Sequence, residues 1–80
     1  MSGMPVKEKE YADRVRRFLK AELKRADVSY KALAERLTLH GLAETEAGIA
    51  SKMARGTFSA TFLLACLAVL DLKGLQMEDI

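Results

Sequence analysis

Eighty residues supply one domain, close to the size at which a single hydrophobic core only just suffices, and leave no length for a second. Half are apolar and 30% are charged, a composition that fits a folded, helix-rich protein and excludes a disordered tail. The net charge is only +2 but unevenly placed, with eight Lys or Arg against four acids in Met1–Arg25 and five against seven beyond.

Pro5 suits the first turn of a helix, where its missing N–H has no partner to lose. After it Tyr11, Val15, Phe18, Leu19, Leu23 and Ala26 recur at steps of three and four, which predicts an amphipathic first helix to about Arg25. Its cations suit a phosphate backbone. Glu10 with Arg14 and Asp13 with Arg17 nevertheless stand at i, i+4, the spacing of an ordinary solvated face. Asp27 and Val28 form a connector, with Val28 placed to pack ahead of the Ser29 cap. A second helix then runs from Tyr30 to Leu39 with the stripe Tyr30, Leu33, Ala34 and Leu37, and exits at Gly41.

Thr45 is the expected N-cap of a third helix that ends near Arg55, where Gly56 is free to adopt the left-handed conformation. With Ala50, Met53 and Ala54 turned to the core, its outward residues are Gly48, Ser51, Lys52 and Arg55, with Thr45 at the leading edge. That set is small, polar and basic, as a helix entering a DNA groove requires. Glu44 and Glu46 repel phosphate there but complement the positive end of the helix dipole. Ser59 caps a fourth helix, Ala60 to about Leu70, that is apolar nearly all round. A helix so written in so small a domain predicts either a central helix wrapped by the others or a face that meets a second copy, with Phe62, Cys66, Val69 and Leu70 as the dimer interface. In the tail, Leu72, Leu75 and Met77 are placed to cover an edge of the core. The expected core is Phe18, Leu19, Leu33, Leu37, Met53, Phe62, Leu63 and Leu67.

Two short helices joined by a turn that contains glycine form the helix-turn-helix unit. LAERL, the turn, IASKMARG and the closing LLACLAVL resemble the lambda-repressor and Cro-like helix-turn-helix domains, and within that class the stretch from Ser29 to Leu70 looks closer to an uncharacterised bacterial family of short stand-alone domains. The tightest likeness is KMARGTFSATFLL, Lys52 to Leu64. What the resemblance implies is an all-α bundle of four or five helices with its motif at about residues 29–56. The chain departs from the repressor pattern between Thr38 and Glu44, which is longer than the usual tight turn.

Catalysis is not expected. One His and one Cys on different elements supply no metal site, and Gly41, Gly48, Gly56 and Gly74 are isolated, not a phosphate loop. His40 sits at a helix end, where it interacts with the dipole, and Ser29 and Ser59 are caps. No cofactor and no small-molecule ligand is expected. Cys66 lies in an apolar run and reads as a small buried hydrophobe in a reducing compartment. MSGMPVKEKEY lacks the apolar region of a secretory signal, and no run approaches the roughly 18 apolar residues of a membrane span, so the expected location is the cytoplasm. Two functions fit. One is a dimeric regulator that places the 45–55 helix in the major groove of double-stranded DNA, with Lys52 and Arg55 as its main cationic contacts. The other is a protein-interaction module that keeps the helix-turn-helix architecture and binds through its fourth helix.

Overall fold

Short polar side chains start three of the helices, and left-handed residues stop all four. The computed structural model describes residues 6–76 and orders them as α1 (Val6–Ala26), α2 (Tyr30–Leu39), α3 (Glu46–Arg55) and α4 (Ala60–Val69), with no strand among the described residues. The N-cap hydroxyls of Ser29, Thr45 and Ser59 accept hydrogen bonds from the amides of Ala32, Gly48 and Phe62 at 3.1, 3.0 and 3.0 Å. Each satisfies an amide that the first turn leaves without a partner, a contribution of about 1 kcal/mol.

The helix stops share one hydrogen-bond pattern. Asp27, Gly41 and Asp71 have positive φ, and after them the amides of Val28, Leu42 and Leu72 reach back to the carbonyls of Leu23, Leu37 and Leu67, each at 2.9 Å. In each case the amide of the left-handed residue also closes on a carbonyl three residues before it, which completes a Schellman motif. The motif joins two apolar side chains across the helix end, and in the first of them both Leu23 and Val28 are buried. Gly56 closes α3 at φ +69, with its amide on Lys52 O at 2.9 Å.

These ends deliver one apolar stripe per helix to a common core. Leu19 and Leu23 of α1, Val28 of the connector, Leu33, Ala34 and Leu37 of α2, Ile49 and Met53 of α3, and Phe62 and Cys66 of α4 form one buried cluster, with Phe18 and Leu67 also buried. α2 packs against both α3 and α4. α3 and α4 meet at a bend of 120°. No single helix among the described residues is long and apolar enough to cross a membrane.

The all-α expectation and the caps at Ser29, Thr45 and Ser59 are met, and seven of the eight expected core residues are buried. The eighth, Leu63, is half-buried. Tyr11 and Ala26 extend the α1 stripe in sequence but are exposed. Leu72 and Leu75 are half-buried, while Pro5 and Met77 lie outside the described residues.

Leu37 has no exposed surface, whereas Leu39 is 86% exposed. Leu37→Ala is therefore expected to lower stability by about 2–5 kcal/mol in urea unfolding. Leu39→Ala should stay within about 0.5 kcal/mol.

Candidate functional site

The roll of α3 about its axis decides which side chains it presents. Ile49 and Met53 are buried, Gly48 and Lys52 lie half-buried at the flank, and Ala47, Ala50, Ser51, Ala54 and Arg55 are exposed. The expectation that Ala50 and Ala54 face the core is corrected, as is the placing of Gly48 and Lys52 on the outward side. Burying a whole Ile side chain is favourable by about 1.5–3 kcal/mol, more than an alanine methyl offers, so the helix turns Ile49 inward and the alanines out. Thr45, Ser51 and Arg55 remain accessible, and Arg55 makes no ion pair among the described residues.

Lys52 is held by Glu44. Its ammonium lies 2.7 Å from Glu44 Oε2 and 5.2 Å from the centre of the Phe62 ring, with the two charged side chains only 30% and 10% exposed. The other Glu44 oxygen accepts from its neighbour's amide, Thr45 N, at 3.2 Å, at the positive end of the α3 dipole. Thr38 anchors the same turn, donating to Ala34 O at 2.8 Å and accepting from Glu44 N at 3.4 Å. Gly48 makes room for the carboxylate, since a Cβ there would sit 2.7 Å from Glu44 Oε1 and 3.1 Å from Thr45 Oγ1. The connection between α2 and α3, α3 itself and α4 are thus joined by one carboxylate, one ammonium and one aromatic face. The mid-helix glycine was the available signal of such a close approach. The Glu44 and Lys52 pairing itself follows no helical spacing.

Phe62 and Cys66, expected both in the core and at a dimer interface, have almost no surface left exposed. Both are buried inside this chain, and Val69 and Leu70 are half-buried against the core. The outward residues of α4 are Ala60, Thr61, Leu64 and Ala68, with Leu64 65% exposed. An all-apolar helix carries no polar stripe to orient it, so contacts with α2 decide its roll. Burial pushes the Cys66 thiol up to about 12, with the nearby Glu44 charge adding to the shift and Lys52 opposing it. His40 is the exposed C-cap residue of α2. Among the described residues, no three His, Cys, Asp or Glu side chains are grouped to hold a metal ion.

Residues 11–75 match the model of a family described as Domain of unknown function (DUF6471). The chain belongs to that family. Comparison with curated proteins and with solved structures gives no match.

For this DUF6471 domain the Glu44 and Lys52 contact has a measurable strength. Lys52→Ala leaves a carboxylate almost fully enclosed without its counter-ion, and is expected to cost about 1–3 kcal/mol. Lys52→Ala and Glu44→Ala together should cost less than the sum of the two singles. Additive losses in the double-mutant cycle would show that the charges act independently.

Cys66 gives the pH dependence a sign. With its pKa raised above the ordinary value of 9.0, the folded thiol stays protonated while the unfolded one ionises. The stability it contributes is complete below pH 9 and is lost as pH rises toward 12, by about 1.4 kcal/mol per pH unit for one proton. Cys66→Ala should therefore be less stable than the parent at neutral pH, by an amount that shrinks above pH 9. A constant difference would contradict it.

Proposed function

We propose that this domain is a non-enzymatic DNA-binding regulator of helix-turn-helix type, in which the exposed side of α3 enters the major groove of double-stranded DNA. The observation that supports it best is the composition of that side, Ala47, Ala50, Ser51 and Ala54, with the Thr45 cap at its leading end and Arg55 at its trailing end. Side chains this short let a helix backbone approach base edges closely, while hydroxyl and guanidinium groups at its margins bond to bases or phosphates. Three of the long side chains of the helix, Ile49, Met53 and Lys52, are engaged elsewhere, which leaves Glu46 and Arg55 exposed at its two ends. Gly48 and Lys52 accordingly position α3 instead of contacting DNA. The likeness of the sequence to lambda-repressor and Cro-like domains agrees with this use of α3. A cytoplasmic location goes with the reading, since that is where the DNA of a bacterial cell lies.

The same reading makes the domain a homodimer through the outward stripe of α4, Ala60, Thr61, Leu64 and Ala68. Leu64, 65% exposed, equally favours a second reading, an interaction module that uses this stripe and binds no nucleic acid. Duplex binding separates the two. The domain is expected to bind duplex DNA at about 50 mM salt and to lose affinity by about 200 mM, as phosphate contacts require. Ala54→Glu, which places a carboxylate on the exposed side of α3, should abolish binding with the melting temperature unchanged. No binding at low salt, with a dimer in sedimentation that Leu64→Glu dissociates, would establish the interaction module instead.

A further inference from the structure

We propose that the depression between the N-terminal half of α1 and the last turn of α3 seats a backbone phosphate of the bound duplex, with Lys9, Arg16 and Arg55 as its cationic contacts. This rests on the reading of α3 above and extends the DNA surface onto a second helix. The depression has a volume of about 300 Å³, and its charged lining is those three bases and one acid, Asp13. Arg16 is laid across the end of α3, with its Cδ and one guanidinium nitrogen 3.9 and 4.0 Å from where a Cβ on Gly56 would stand. Those are ordinary contact distances, so Arg16 packs directly on the α3 stop, beside Arg55 in the lining of the same depression. Asp13 is already shared, because both Arg16 and Arg17 pair with it. Lys9 and Arg55 are exposed and make no ion pair among the described residues.

The chemistry selects an anion with several oxygens and low charge density. Two guanidinium groups present paired donors and the lysine a point charge, which together suit a phosphodiester better than a lone carboxylate. Charge also fixes the side from which a polyanion approaches. The depression beside the leading end of α3 is lined by Glu35, Glu44 and Glu46 with Lys31 as its one base. Phosphate is repelled there and attracted to the α1 side. Arg55 belongs both to the exposed side of α3 and to the basic depression, so a single duplex reaches both.

Titration of the full chain with duplex DNA at several salt concentrations tests the site through the salt slope. Lys9→Ala should reduce the slope by about one unit, so that a fourfold rise in salt costs about 3.5-fold less affinity than in the parent. Asp13→Asn should act in the opposite direction, with tighter binding and a steeper slope, which a merely structural residue does not produce. If Asp13→Asn lowers the melting temperature, the exposed Arg55→Ala supplies a second one-unit decrease. Unchanged slopes in Lys9→Ala and Arg55→Ala, with Ala54→Glu still abolishing binding, would overturn the phosphate seat and leave the α3 reading intact. A reduced slope in Lys9→Ala with Ala54→Glu binding like the parent would support the seat and overturn the α3 reading. No duplex binding by the parent would overturn both.

Discussion

The contact between Glu44 and Lys52 is the constraint on which the exposed surface of this domain depends. A carboxylate as enclosed as that of Glu44 is stable only if its lost hydration is replaced. Three groups replace it: the Lys52 ammonium, the Thr45 amide and the positive end of the α3 dipole. Lys52 in turn rests on the Phe62 ring, so the charge pair and the ring contact together hold α3 in its roll against α4. Once that roll is set, Ile49 and Met53 point inward and Ala47, Ala50, Ser51 and Ala54 point out. The pair makes no contact with solvent comparable to that of Arg55, yet it determines what solvent or a partner meets.

The rest of the fold is secured locally. Caps at three helix starts and Schellman closures at three helix stops satisfy end groups that a domain of this size has little core to cover. Two of the stops use Asp27 and Asp71 in the left-handed region, where a side chain other than glycine's is strained but the short polar Asp is tolerated. Ion pairs on α1, such as Arg14 with Glu10 at 3.3 Å and Arg25 with Glu22 at 2.7 Å, join neighbouring turns of one solvated helix and contribute little.

Helix number, the three caps and the stops at Gly41 and Gly56 were legible because each is encoded within a few residues: a hydroxyl three positions before an amide, or a glycine after a periodic run. The roll of α3 was not. Ala50, Met53 and Ala54 satisfy the three-and-four spacing as well as Ile49 and Met53 do, and what separates them, the burial of Ile49 and the contact of Lys52 with Glu44, is tertiary. α4 was less legible still, because an apolar residue at nearly every position leaves no periodicity to follow, so Phe62 and Cys66 read equally well as core and as interface until their burial decides. Glu44 was visible only as an acid near a helix start. Its partner eight residues on lies outside any local pattern. The convergence of Lys9, Arg16 and Arg55 depends on how α1 lies against the end of α3, a tertiary fact that α1's own spacing reports only as a solvated face.

The claim that the exposed side of α3 is the functional surface is tested most directly by following backbone amide NMR signals during a low-salt titration with duplex DNA. The predicted result is a set of shifts concentrated at Ala47, Ala50, Ser51, Ala54 and Arg55, with those of Leu64 and Ala68 in α4 unchanged. Shifts confined to α4, or none in α3 at saturating DNA, would contradict it.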